Sequence, residues 1–282
     1  MMTAKIRFIA ILILLQVPAS MPAATLTPET KAAWDAYMQA AFAGMQARLQ
    51  PGAHFLWLDD DPDRAEEIRT SVRTKGPYIE PITKQIPKKV PHGLIHDWLG
   101  VGFVPNAKIE DILAVVRDYE HYKDIYHPGV IDSSSRGNDG TKDLFTMRLA
   151  NRSVVAKTAL DADCEVTYIR VDEQHWYGIS NTTRIVEVDK FGTPEARTLP
   201  EDEGTGLIWR LSSITRLEER DGGVYAELEA IALSRDIPAA FRLFVTPIVR
   251  RVSRDSLATS LHQTKVAIDA AKARRAEQTP SQ

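Results

Sequence analysis

Gly206–Glu219 (GLIWRLSSITRLEE) and Val224–Ser234 (VYAELEAIALS), separated by Asp221-Gly222-Gly223, decide the fold. In the first segment Leu207, Trp209, Leu211, Ser213, Thr215 and Leu217 fall on alternate positions, the period of a β-strand. In the second, Ala226, Leu228, Ala230 and Ala232 take one face, and Tyr225, Glu227, Glu229 and Ile231 the other. Asp-Gly-Gly supplies the backbone freedom of a tight hairpin turn. Downstream, Leu233–Pro238 (LSRDIP) runs into Phe241, Phe244, Ile248, Val252, Leu257, Leu261 and Ile268, whose helical spacing predicts a long C-terminal helix that Pro247 kinks or restarts.

Upstream, the chain reads as strand, helix, then more strands. Gly93–Phe103 (GLIHDWLGVGF) is an apolar strand. Pro105-Asn106 opens a helix whose stripe is Ile109, Ile112, Leu113, Val116 and Tyr119, with Glu110 and Asp111 near its positive end. Strands are expected at 129–135, 141–149, 153–171 (bent near Asp161–Asp163) and 174–188, and a loop at 192–205. There is no internal repeat. Hairpins bounded by helices give an α+β fold with an antiparallel sheet, and the last helix is the long apolar stripe available to cover its concave face.

Before this domain, Thr27 caps a helix from Pro28 to about Leu49, with Trp34, Tyr37, Met38, Ala41 and Met45 on its stripe and Pro51-Gly52 at its end. Asp59–Asp63 (DDDPD) reads as a turn-rich linker, and prolines break regular structure over 76–91. Earlier still, Lys5 and Arg7 precede the apolar run Phe8–Val17 (FIAILILLQV) and the small residues of Pro18–Ala24 (PASMPAA), the layout of a secretory signal peptide. The run is about half the ~20 residues a membrane span needs. The expected organisation is a signal peptide over 1–24, a helical and Pro-rich arm over 25–90 that packs on the main domain, the domain itself over 91–275, and a tail over 276–282. The expected destination is the periplasm or the cell exterior.

The pattern resembles the START-like, or SRPBCC helix-grip, superfamily related to polyketide cyclases, in a bacterial exported form. Three stretches carry it: Val104–Tyr126 (VPNAKIEDILAVVRDYEHYKDIY) leading into His127-Pro128-Gly129-Val130, the strand pair Trp209–Leu233, and LSRDIP with the helix after it. The resemblance implies a curved antiparallel sheet wrapped round the long C-terminal helix, and an internal cavity for lipids, sterols or polycyclic compounds. Fold alone does not decide between carrier and enzyme.

The residues themselves exclude several chemistries. The 282-residue chain carries a net charge of −3, and no basic field suited to nucleic acid. There is no Gly-x-Ser-x-Gly elbow and no phosphate-binding glycine loop. Cys164, the lone cysteine, sits in DADCEV, where neighbouring acids oppose thiolate formation. His92, His96, His121 and His127 lie near Asp97, Asp118 and Asp124 without a metal-site spacing, so neither metal nor cofactor is expected. Glu227 and Glu229 read as a solvated convex face.

Ligand contact is the remaining chemistry. Ala226, Ala230 and Ala232 either leave volume for a ligand or let the helix approach closely. Trp98, Tyr126, Met147 and Trp209 are candidate lining, or plain core. Arg235 meets a headgroup at the pocket mouth, or fixes a loop. Arg242, Arg250, Arg251, Arg254, Lys265, Lys272, Arg274 and Arg275 make the last helix basic, which suits peripheral contact with anionic lipid or simply a solvated face. The expected function is binding or transfer of a hydrophobic small molecule or lipid. The alternatives are a cyclase/aromatase-type enzyme and an interaction scaffold without a ligand.

Overall fold

The structure, a computed structural model, describes residues 24–83, 86–152 and 157–278. The expected signal peptide falls outside them, apart from Ala24. In chain order the elements are β1 (Ala24–Thr25), α1 (Pro28–Ala47), a 3-10 turn (Trp57–Asp59), α2 (Pro62–Thr74), β2 (Tyr78–Pro81), β3 (Lys88–Val90), β4 (Gly93–Pro105), α3 (Ile109–Val116), a second 3-10 turn (Tyr119–His121) and α4 (Tyr122–Ile125). They continue with β5 (Val130–Asn138), β6 (Asp143–Arg152), β7 (Lys157–Arg170), β8 (His175–Asp189), β9 (Arg197–Thr198), β10 (Glu203–Gly204), β11 (Arg210–Arg220), β12 (Gly223–Arg235) and α5 (Ala239–Gln278).

The decisive hairpin forms as read. Arg220 pairs with Gly223, and the two residues between them, Asp221 (φ 57°) and Gly222 (φ 76°), both take positive φ, the two-residue turn whose twist matches the strands. The strands join antiparallel in the order β2-β4-β12-β11-β8-β7-β6-β5, with β3 also on β4 and β9 on β8. The bend expected near Asp161–Asp163 is a register shift at Asp163/Cys164, which re-aims the far end of β8. The expected loop at 192–205 holds two short pairings, β9 on β8 and β10 on β1.

The arm is more ordered than its composition suggested. Thr27 Oγ1 accepts from Thr30 N at 3.3 Å and caps α1 as expected. The acidic run is a helix start: Asp61 caps α2 through Asp63 N, and Pro62 occupies the first turn. β2 and β3 add to β4, so Tyr78–Pro81 and Lys88–Val90 belong to the same sheet as the domain they precede.

The sheet is covered on both faces. On the convex face Trp34 and Met38 of α1 pack on Ile95, Ile231 and Leu233, and Met45 packs on Tyr177 and Ile214. Further along, Leu56, Leu58, Ala65, Ile68 and Val72 meet Leu99, Val101, Phe103 and Tyr225. Each such aliphatic or aromatic side chain contributes roughly 1.5–3 kcal/mol by leaving water. On the concave face, α3 and Ile268 of α5 close one end over Val104, Leu217 and Val224.

α5 seats on β4 at a glycine. A Cβ on Gly100 would lie 2.5 Å from Leu261 Cδ1, 2.9 Å from Ile79 Cδ1 and 3.1 Å from Leu257 Cγ. Gly100→Val is therefore expected to cost about 1–3 kcal/mol by prising α5 from the sheet. Gly102→Ala, whose new atom meets nothing nearer than 3.9 Å, should be tolerated. Chemical denaturation of both variants checks this, and equal losses would contradict the seating.

Candidate functional site

Burial alternates along the central strands. On β12 the convex-face residues Tyr225, Glu227, Glu229, Ile231 and Leu233 are buried, while Ala226, Leu228, Ala230 and Ala232 are only half-buried. The same holds on β11, where Ser212, Ile214 and Arg216 are buried and Leu211, Ser213 and Thr215 are half-buried. Space large enough for water therefore remains in front of the concave face, where small side chains from adjacent strands meet: Ala230 faces Ser213, and Ser213 faces Ser180. The result is a groove whose floor is β12, β11 and β8 and whose near wall is α5.

The groove floor is uncharged. The concave positions 211–217 of β11, 224–232 of β12, 176–182 of β8 and 160–168 of β7 carry no Asp, Glu, Lys or Arg. The two acids bordering it are already engaged. Asp143 accepts from Arg117 Nε at 2.8 Å and Tyr119 Oη at 2.9 Å, and Glu187 accepts from Thr205 N and Oγ1, both at 2.8 Å. Cys164 is buried, and burial with Asp163 nearby pushes its thiol up to about 12, so it is an inert floor residue.

Tyr119, Tyr122, Tyr126 and Tyr168 cluster with Phe145 where α3 and α4 meet the sheet. Tyr122 and Tyr168 both donate to Val116 O, at 2.6 and 3.2 Å, and Tyr126 Oη bonds Thr264 Oγ1 of α5 at 3.0 Å. Desolvation raises all four phenols above their ordinary value, so they stay neutral hydrogen-bonding groups.

Most of the residues singled out from sequence lie on the concave side, in separate clusters. Trp98 and Ala230 lie under Leu257 of α5, with Ile86 and Leu228 beside them. Tyr126 is tied to α5 through Thr264, and Met147 packs with Phe145, Leu149 and Ala162. Ala226 packs against the cluster that α3 and Ile268 of α5 form, so there the small side chain serves close helix approach.

Trp209 does not join them. It stands one residue before β11 and is buried on the opposite face with Leu26, Trp34, Met38 and Leu233, so it cannot line the groove. Arg235 holds a loop: its N donates to Gly206 O at 2.8 Å and its guanidinium to Thr205 O at 3.3 Å.

Glu227 and Glu229 are not solvated. They face the convex side as expected, but that side is dry under the arm, and they are 0% and 8% exposed. Glu227 accepts from Arg216 Nε at 2.7 Å and from the backbone N–H of Trp57 and Leu58 at 2.9 Å each. Arg216 also reaches Glu229 at 3.2 Å. Beside them Asp97 accepts from Tyr37 Oη of α1 at 2.7 Å, and burial followed by the nearby Glu229 charge pushes its carboxyl up to about 7. Sequence reasoning missed this cluster. The signal was the apolar company of Tyr225 and Ile231 on the same face. No cluster of His, Cys, Asp or Glu suited to a metal occurs among the described residues.

A curved antiparallel sheet thus holds one long C-terminal helix against its concave face, with α3 and α4 closing one end. This is a helix-grip fold. No family model matches the chain, and no curated protein matches it. Solved helix-grip structures do. A STAR-related lipid transfer protein from Xanthomonas axonopodis is 13% identical, over 65% of this chain and 95% of that one, with a TM-score of 0.42. Human STARD10 is 8% identical over 82% and 87% of the two chains, with a TM-score of 0.44. A Streptomyces aromatase/cyclase is 10% identical over 62% and 94%, with a TM-score of 0.42.

Proposed function

We propose that the protein binds a lipid or other hydrophobic small molecule in the concave groove, and that residues 1–24 direct it out of the cytoplasm. The carrying observation is the burial alternation on β11 and β12. The same two strands are dry on the arm side and half-open on the groove side, where the floor is small and uncharged. Small, uncharged and half-exposed floor positions present apolar surface that a hydrophobic ligand would cover. The solved structures it resembles include proteins named for lipid transfer and for cyclisation. The binding reading is preferred because the groove floor carries no charged side chain, while the shifted acid, Asp97, faces the arm.

Native mass spectrometry of protein purified from its own cells, before and after solvent extraction, tests the binding. A bound mass that extraction removes is the expected result, and protein that is ligand-free from the outset and fails to take up Nile red contradicts it. Export is checked by N-terminal sequencing of fractionated cells. The mature chain is expected to begin near Ala24 outside the cytoplasm, and an intact Met1 in the cytoplasmic fraction overturns that part.

A further inference from the structure

Two polar atoms on the groove side of β4 are buried without a partner. His96 and Trp98 are alternate residues of one strand, paired across to Ala232 and Ala230, so they share the concave face with the smallest side chains of β12. His96 is 5% and Trp98 8% exposed. His96 Nδ1 and Trp98 Nε1 each lack any hydrogen-bond partner. An unpaired buried polar group costs as much as a lost hydrogen bond, so two side by side above small residues mark a place where a partner is missing.

The surroundings set what each atom asks for. Burial lowers the His96 imidazole to about 4, so the ring is neutral and carries one proton. His96 Nε2 lies 3.0 Å from Ser234 Oγ, and that hydroxyl donates its own proton to Arg235 O at 3.2 Å. Ser234 Oγ is therefore left as an acceptor. The imidazole proton belongs on Nε2, and Nδ1 presents a lone pair. The Trp98 indole N–H can only donate.

We infer that His96 and Trp98 form a polar subsite of the groove that selects hydrophobic molecules bearing a neutral hydroxyl group, an alcohol or a phenol. A hydroxyl donates to Nδ1 and accepts from the indole N–H. A phosphate or carboxylate head brings no proton for Nδ1 to accept. The inference rests on the reading of the groove as a ligand site and adds the ligand's chemical class.

Thymol and p-cymene differ by a single hydroxyl and serve as probes, titrated by calorimetry into the full-length protein. Thymol is expected to bind roughly ten- to a hundredfold more tightly, the range for satisfying rather than stranding buried polar groups. Trp98→Phe and His96→Leu should each bring the ratio of thymol to p-cymene affinity down to within about twofold of unity. In wild-type protein, thymol but not p-cymene should move the Trp98 indole ¹H–¹⁵N resonance downfield, a readout that stands if a variant fails to fold. Equal affinities with an unmoved indole resonance overturn the subsite and leave the groove reading intact. Failure of both probes and of Nile red to bind removes the groove reading and the subsite together.

Discussion

Glu227→Ala is expected to lose about 3–5 kcal/mol of stability, the cost of stranding a buried ionic partner. Glu227 is fully buried and serves three donors at once: the Arg216 guanidinium and the backbone N–H groups of Trp57 and Leu58. Alanine leaves Arg216, itself 2% exposed, with a single contact to Glu229 at 3.2 Å, and leaves the start of the Trp57–Asp59 turn without an acceptor. At roughly 2–4 °C per kcal/mol for a domain of this size, the unfolding midpoint should fall by about 6–20 °C. Protease cleavage between 53 and 61 should appear before global unfolding, because this carboxylate joins the arm to the sheet. The contrast is the exposed Lys31–Asp35 pair, where Lys31→Ala should change stability by less than about 0.5 kcal/mol. A loss from Glu227→Ala as small as that would mean the arm is held elsewhere.

The second large effect is a pH slope. In the folded chain Asp97 keeps its proton to about pH 7, against an ordinary value of 3.8. Between those limits the folded state binds more protons than the unfolded state, so this group's contribution to stability falls as pH rises from about 4 to 7 and is flat above. His96 acts in the opposite sense. Its value is lowered from 6.5 to about 4, so the unfolded chain takes up the proton first and stability is lost as pH falls through that window. In the wild type the two slopes oppose each other between about pH 4 and 6.5.

Asp97→Asn retains an acceptor for Tyr37 and removes the ionisation. Relative to wild type it should gain on the order of 2–4 kcal/mol between pH 4 and 8, at 1.36 kcal/mol per unit of displacement. Urea denaturation across that range reads the difference directly, and Glu218, which is also raised by burial, cancels between the two proteins. A stability difference independent of pH would show that Asp97 is ionised throughout.

Much of this architecture is legible in the sequence because it follows from periodicity and turn chemistry. Asp221-Gly222 dictates a hairpin whatever surrounds it, and Thr27-Pro28 dictates a helix start. The start of α2 was written in the same language, as Asp61-Pro62. The helix is so polar that its narrow stripe of Ala65, Ile68 and Val72 does not stand out until the sheet it packs on is known. The candidate site was half legible. Alternation places Ala230 and Glu229 on opposite faces of β12, yet cannot say which face is wet. That depends on where the arm lies, a contact across more than 150 residues. Trp209 failed for a related reason, because it precedes the first paired residue of β11, where alternation has not yet begun. His96 and Trp98 could have been read together as alternate residues of one strand, but their missing partners are visible only in three dimensions.

Whether an apolar ligand occupies the groove is read by Nile red binding to wild type and to Ala230→Trp, compared by fluorescence titration. Ala230 stands half-buried on the groove floor beside Trp98 and Leu257, and an indole there occupies the volume assigned to the ligand without touching the arm. Saturable binding to the wild type is expected, with a loss of at least about tenfold in the folded variant, since each aromatic ring that fills an apolar site displaces a comparable area of ligand. Undiminished binding to Ala230→Trp would contradict it, because the apolar ligand would then lie somewhere other than between α5 and the concave face of the sheet.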